Sequence, residues 1–186
     1  MHKVIGRAGV GLDNVELNPA TEKGIIVMNS PEGNTISTAE HSFALILSLM
    51  RSIPEAHRSV KEGKWEKKKF MGTELQQQTL GVIGLGRIGS IVADRGIGMK
   101  MEVLGFDPYI VPEAAAIMGV EWAPLDEVLG RSDFITVHTP LTPDTRHILN
   151  RGSLAKTKPG VRIINCARGG LVDEEALHEY LISGHV

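Results

Sequence analysis

The segment Gly84-Leu85-Gly86-Arg87-Ile88-Gly89 has the spacing G-x-G-x-x-G, and Asp107 follows 18 residues after Gly89. Each glycine of such a segment answers a separate steric demand. Gly84 permits a tight turn, Gly86 lets the backbone approach a pyrophosphate, and Gly89 lets a helix pack closely on the strand before it. A helix opening at Arg87 would turn backbone N–H groups and a partial positive charge toward the phosphates. A carboxylate at Asp107 can accept hydrogen bonds from the ribose 2′- and 3′-hydroxyls and would repel a 2′-phosphate, so the chemistry favours NAD over NADP. The competing reading is a strand–helix turn without a ligand. A lone motif in a chain with 21 glycines would leave that open; the strand before it, the helix after it and the acid beyond weigh against it.

Two further segments carry groups of possible use. In His138-Thr139-Pro140, Thr139 could offer its hydroxyl or backbone to the cofactor. His138 reads equally as an acid–base group or as a half-buried histidine capping a strand end. In Asn165-Cys166-Ala167-Arg168-Gly169-Gly170, Arg168 is suited to hold a carboxylate through two parallel hydrogen bonds, against the alternative of a solvent-facing arginine. Cys166 reads as packing, with no partner base evident. Seven histidines and one cysteine are scattered without metal-ligand spacing, so no metal site is expected.

These segments must be positioned by regular elements. Apolar runs predict strands over Thr79–Ile83, Glu102–Phe106, Asp133–His138 and Val161–Asn165. Helical patterns occupy Arg87–Gly96, Pro112–Met118, Leu125–Leu129, Gly152–Lys156 and Asp173–Ser183. The strands are continuously apolar rather than alternating, as in sheets covered on both faces. The fold class is therefore α/β, a doubly wound parallel sheet of the Rossmann type, with ligands received outside the carboxyl ends of its strands. Upstream, Lys3–Gly6 and Gly24–Asn29 read as short strands. Ser37-Thr38-Ala39-Glu40 reads as a capping box opening a helix with the stripe Phe43, Ile46, Leu47 and Met50. Pro54 starts a second, polar helix ending near Gly63. The N-terminal strand has nothing before it to pair with. The last helix turns at Gly184, and a strand is expected to start at His185-Val186, which makes the sheet incomplete at its C-terminal strands.

Composition narrows the classes further. With 20 basic and 22 acidic residues the net charge is −2, which gives no reason to propose a nucleic-acid or membrane-surface partner. The run Phe43–Met50, broken by Ser48, falls far short of the roughly 18 apolar residues of a membrane span. One cysteine excludes an intrachain disulfide and fits a reducing, cytoplasmic setting. Five lysines surround Trp65 between Lys61 and Lys69; with Phe70 they suggest an arm that packs on a second subunit.

Taken together, Gly6-Arg7-Ala8-Gly9-Val10-Gly11-Leu12-Asp13-Asn14, Asn29-Ser30-Pro31-Glu32-Gly33-Asn34, the glycine motif and the Asn165–Gly170 segment resemble the D-isomer-specific 2-hydroxyacid dehydrogenases from Lys3 onward. Gly63-Lys64-Trp65-Glu66 through Lys69-Phe70-Met71-Gly72 narrows the likeness within that family. The resemblance implies an NAD-dependent oxidoreductase acting on a small 2-hydroxy acid. By the same likeness Gly84, Gly86, Arg87, Ile88 and Gly89 lie on the pyrophosphate and Asp107 on the ribose. Thr139 is the cofactor contact after the His138-Thr139-Pro140 turn, Cys166, Ala167 and Arg168 lie beside the nicotinamide, and Val10 lies near cofactor and substrate carboxylate. Arg168 corresponds to the catalytic arginine that binds the substrate carboxylate and polarises its carbonyl. The helix Ser37–Arg51 and the Trp65 arm correspond to a homodimer interface. The likeness also implies that residues 1–29 are the remnant of a substrate-binding domain and 30–186 a C-terminally truncated NAD-binding domain. The family's catalytic histidine and glutamate fall beyond Val186, so weak or no turnover is expected of the chain alone. Two alternatives are another specificity within the family, as in glyoxylate or hydroxypyruvate reductases, and a non-catalytic NAD-sensing module like the C-terminal-binding-protein co-repressors.

Overall fold

In the computed structural model, residues 2–186 are described. They divide into two compact units, one ending at Thr38 and one running from Ala39 to Val186. In the first unit, strand β1 (Val4–Gly6), helix α1 (Leu17–Glu22) and strand β2 (Ile26–Met28) form a parallel pair with Val4 opposite Ile26 and Gly6 opposite Met28. Helix α1 escapes a periodicity reading because it has six residues and buries only Ala20. Gly24, at φ +65, turns the chain back into β2.

Helix α2 spans Thr35–Met50. The capping box expected at Ser37 does not form. Thr38 N already donates to Asn34 O at 2.9 Å, so the first turn closes ahead of Ser37. Ser37 Oγ instead donates to Asn34 O at 3.1 Å from inside the helix. The expected stripe is otherwise present, with Ala39, Phe43, Ile46 and Met50 buried and Leu47 half-buried against them. Helix α3 (Ile53–Lys61) starts with Pro54 in its first turn, where a missing N–H costs nothing.

The second unit then alternates strand and helix. Its elements are β3 (Thr79–Ile83), α4 (Arg87–Gly98), β4 (Glu102–Phe106), α5 (Pro112–Ile117), β5 (Glu121–Trp122), α6 (Leu125–Arg131), β6 (Phe134–Val137), α7 (Arg151–Leu154), β7 (Arg162–Asn165) and α8 (Glu174–Ile182). The five strands form one parallel sheet in the order β5-β4-β3-β6-β7. Strands β3 and β6 are buried along their whole length, which is why they read as unbroken apolar runs. On one side of the sheet Leu80, Val82, Phe134 and Ile164 pack with Phe43, Ile46 and Val92. On the other, Ile83, Ile135 and Val137 pack with Leu129, Leu149 and Leu171.

Strand β5, two residues long, has too little sequence to show a pattern. Arg131 fixes it by donating to both Glu121 oxygens at 2.5 and 2.9 Å. The strand expected at His185-Val186 is not there. His185 N and Val186 N both donate to Tyr180 O, closing the end of α8, and His185 Nε2 lies 3.0 Å from Thr157 Oγ1.

Helix α6 rests on β3 through a glycine. A Cβ on Gly81 would lie 2.2 Å from Ser132 Oγ and 2.9 Å from Val128 Cγ1, both buried. Gly81→Ala should therefore destabilise the chain by about 1–3 kcal/mol through overpacking. Gly98→Ala, where a Cβ meets nothing within 4 Å, should leave stability unchanged or slightly raised. Urea unfolding of the two variants beside the parent checks the contrast.

Candidate functional site

Strand β3 ends at Ile83, and the chain turns at Gly84 with φ +94. A Cβ there would fall 2.9 Å from both His138 C and O, so residue 84 has to be glycine on conformational and steric grounds together. Gly86 is the N-cap of α4 and no side chain caps the helix. A Cβ on Gly86 would project into open space. That opening, in front of a helix N-terminus, is where an anion can come close to the backbone. Gly89 is different again, since its Cβ would lie 1.9 Å from Gly84 O. Helix and turn are pressed together at that point. Gly84 and Gly89 thus serve the turn and the close packing that their spacing predicts, and Gly86 leaves the space open.

Asp107, just past β4, is tied to the same turn. Its Oδ2 accepts from Leu85 N at 2.9 Å, inside the glycine segment, and its Oδ1 accepts from Tyr109 N at 2.9 Å. Trp122 Nε1 donates to Asp107 O at 3.2 Å, holding the backbone from below. A carboxylate offers about four lone-pair sites, so two N–H partners leave capacity for hydroxyls.

The parallel register brings the remaining residues into line. Ile83 lies opposite Phe106 of β4 and Val137 of β6, and Val137 lies opposite Asn165 of β7. One residue further along, Asp107, Gly84, His138 and Cys166 form a row across the carboxyl edge of the sheet. Gly84 N donating to Phe106 O and His138 N donating to Ile83 O, both at 2.8 Å, continue the ladder to that level. The Arg162 guanidinium over the Phe134 ring, 5.4 Å from its centroid, shows the same face-to-face alignment four residues earlier.

His138 Nε2 lies 2.9 Å from Thr136 Oγ1, while His138 Nδ1 and Thr139 Oγ1 are buried without a partner. Burial pushes the imidazole down to about 4. That lowered basicity weighs against the acid–base reading of His138, since a weakly basic ring collects a proton poorly near neutrality. In the loop after β7, the Asn165 side chain works as a clamp. Its Oδ1 accepts from Ala167 N at 3.0 Å and its Nδ2 donates to Arg168 O at 2.9 Å. Arg168, half-buried, donates from Nη1 to Ala167 O at 2.9 Å. Sequence alone does not show the clamp, although an asparagine at the end of a strand, before glycines, is a common sign of such a turn.

Val10 lies in the first unit, in the loop after β1, where its carbonyl accepts from Asn29 Nδ2 at 2.9 Å. The structure therefore brings together Gly84, Gly86, Arg87, Ile88, Gly89, Asp107, Thr139, Cys166, Ala167 and Arg168 along one sheet edge and its loops; Val10 belongs to the other unit. A cleft of about 380 Å³ lined by His147, Gly170, Val172, Asp173, Glu174 and Glu175 lies beyond the arginine loop and contains none of them. Among the described residues no group of three His, Cys, Asp or Glu side chains could hold a metal, and no helix is long and apolar enough to cross a membrane.

The family profile of the D-isomer specific 2-hydroxyacid dehydrogenase NAD binding domain matches residues 43–186. This chain belongs to that family. Its cofactor is NAD, and the open Gly86 cradle, the uncapped helix and the tethered Asp107 fit that cofactor. The chain is 55% identical over 184 residues to the D-3-phosphoglycerate dehydrogenase of Bacillus subtilis, and 56% identical over 182 residues to that of Homo sapiens. These alignments cover 99% and 98% of this chain but only 35% and 34% of the relatives, so it spans about a third of their length. Among solved structures, D-lactate dehydrogenase from Aquifex aeolicus complexed with NAD and lactic acid superposes with a TM-score of 0.89 at 38% identity, over 98% of this chain and 55% of that one. A Granulicella formate dehydrogenase superposes with a TM-score of 0.93 at 30% identity, over 99% of this chain and 50% of that one.

The glycines predict opposite failures. Gly89→Ala should lower stability by about 2–3 kcal/mol through backbone overpacking, whereas Gly86→Ala should melt like the parent yet lose NAD affinity. Calorimetry paired with a cofactor titration separates the two. His138 makes a pH prediction. Its pKa is depressed from 6.5 to about 4 on folding, so the unfolded chain binds the proton more readily. The stability this contributes is full above about 6.5 and is lost as the pH falls toward 4. Between pH 7 and 4 the parent should lose on the order of 2–3 kcal/mol more than His138→Gln. Parallel melting curves for the two proteins would show that the ring is not buried in its neutral form.

Proposed function

We propose that this chain is the cofactor-binding part of a D-3-phosphoglycerate dehydrogenase, which oxidises the C2 hydroxyl of 3-phosphoglycerate to the ketone of 3-phosphohydroxypyruvate at the head of serine synthesis. The observation that carries the reading is identity: 54–56% to D-3-phosphoglycerate dehydrogenases, against 30–38% to D-lactate dehydrogenases, a glyoxylate reductase and a formate dehydrogenase of known structure. The Trp65 segment supports the same choice.

In this reading Gly84, Gly86, Arg87, Ile88 and Gly89 receive the pyrophosphate through backbone N–H groups and the dipole of α4. Asp107 accepts the adenosine ribose hydroxyls and excludes a 2′-phosphate. Thr139 contacts the cofactor, and Cys166 and Ala167 lie beside the nicotinamide. Arg168 holds the substrate carboxylate and polarises the developing carbonyl, its loop kept in shape by Asn165. Bound NAD supplies the hydride acceptor. The hydroxyl proton released with the hydride needs a base near neutrality. Among the described residues His138 stands on the right edge but is too weakly basic. Turnover by this chain alone is accordingly slow or absent. We read residues 1–29 as part of a substrate-binding lobe and 30–186 as the NAD-binding domain, in a cytoplasmic protein.

The same reading includes a homodimer. Leu45 and Leu49 of α2, Ile53 and Val60 of α3, and Trp65 are all exposed, Trp65 by 83%. Apolar groups repeating along two consecutive helices and an adjoining arm form a surface suited to a second subunit.

NADH titrated into the chain, followed by nicotinamide fluorescence, tests the cofactor assignment. Asp107→Asn should weaken binding by about 1–3 kcal/mol, the scale of hydrogen bonds to a charged acceptor, and should narrow the preference over NADPH. Equal affinity in the two proteins would remove Asp107 from the ribose. Rapid hydride transfer from 3-phosphoglycerate, abolished by Arg168→Ala, would put a working base among these residues and overturn the expectation of slow turnover.

A further inference from the structure

In the row Asp107–Gly84–His138–Cys166, His138 has no task in the reading above, although it stands between the pyrophosphate turn and the nicotinamide segment. We propose that His138 is a positioning residue for the cofactor: clamped by Thr136 through Nε2, its ring holds Nδ1 as a fixed hydrogen-bond donor for an oxygen of the nicotinamide riboside half, directly or through one water. This rests on the NAD assignment and adds to it a contact that neither the glycine motif nor the arginine loop supplies.

Three observations support it. Among the described residues, the buried side-chain nitrogen and oxygen atoms without a partner are two, His138 Nδ1 and Thr139 Oγ1. They belong to consecutive residues at the carboxyl end of β6, the strand between the glycine turn and the arginine loop. Buried polar groups left unpaired are costly, and adjacent ones at a ligand edge mark a place where an incoming group restores the missing bonds.

The ring is also fixed. Thr136 is fully buried in β6, and its Oγ1 stands 2.9 Å from Nε2. With threonine two residues before histidine on one strand, both side chains share a face of the sheet, the face of Phe134, Ile164 and Cys166. The His138 backbone below the ring is packed closely as well, since a Cβ on Gly84 would lie 2.9 Å from its C and O.

Hydrogen-bond accounting then selects the tautomer. If Nε2–H donated to Thr136 Oγ1, the threonine proton and the Nδ1 lone pair would both be stranded. If Thr136 donates to Nε2, the unpaired donor is the Nδ1–H instead. Each arrangement leaves one donor hydrogen unpaired, but only the second puts it on the ring nitrogen at the ligand edge, where an incoming acceptor satisfies it, so the proton is assigned to Nδ1. Riboside hydroxyls and the carboxamide oxygen are such acceptors.

The test compares NADH with ADP, which keeps adenosine and both phosphates but lacks the nicotinamide riboside. In the 15N-histidine-labelled parent, the His138 ring should show the Nδ1–H tautomer, and its Nδ1 signal should move on adding NADH but not ADP. His138→Gln should weaken NADH about tenfold while leaving ADP affinity and melting temperature near the parent. His138→Asn, which returns an amide nitrogen close to the Nδ1 position, should recover most of that loss. Thr136→Val, which frees the ring, should fall between. An unmoved Nδ1 signal in the NADH-saturated parent, or equal losses of NADH and ADP in the variants, would overturn the proposal. A parent that binds neither NADH nor ADP would overturn the NAD assignment beneath it. Should the variants fail to fold, the labelled parent decides alone.

Discussion

Everything at this sheet edge depends on the contact between Gly89 and the carbonyl of Gly84. The helix must start close enough to the strand end for its N-terminus to face the turn, and no side chain fits between them, since even a Cβ would lie 1.9 Å from that oxygen. The closeness sets the axis of α4, and the axis sets where its N–H groups and dipole point. It also shapes the segment to which Asp107 is bound through Leu85 N. Asp107 and the glycine turn are thus one connected piece rather than two neighbouring features.

The parallel sheet extends that piece sideways. Its register carries one level from Asp107 through Gly84 and His138 to Cys166, so a long ligand lying along the edge meets an acid, a backbone cradle, a buried imidazole and the arginine loop in sequence. The electrostatics change along the way. A carboxylate stands at one end, a helix dipole in the middle and a guanidinium at the other, an order suited to hydroxyls, phosphates and a carboxylate in turn. The imidazole between them is kept uncharged by burial, which suits it to direct a hydrogen bond without adding charge.

Much of this was legible in the sequence. The strands Thr79–Ile83 and Glu102–Phe106 were read with the bounds they have, because both are apolar runs closed by glycine or aspartate. The task of each glycine in the motif was legible too, since each follows from the absence of a Cβ. What escaped was short or contextual. Strand β5 and helix α1 are too brief to show a period. Ser37 has the composition of a cap, but Asn34 had already closed the turn. Asn165 was read as part of a motif, while its clamp across Ala167 and Arg168 depends on a loop conformation. His138 carries two equal meanings in the sequence, and only its burial weighs against the acid–base one.

The chain by itself determined which segments become strands and helices, where the glycines must lie, and that an acid follows the second strand at the distance a ribose requires. These are local properties, settled by sterics and by hydrophobic period within a few residues. Only the tertiary structure decided that Asp107, Gly84, His138 and Cys166 share one level, that Nδ1 of His138 is buried without a partner, and that Gly86 alone of the motif's three glycines opens outward. Those outcomes come from hydrogen-bond register between strands far apart in the chain and from what packs over them, and neither is written in the spacing of residues along one segment.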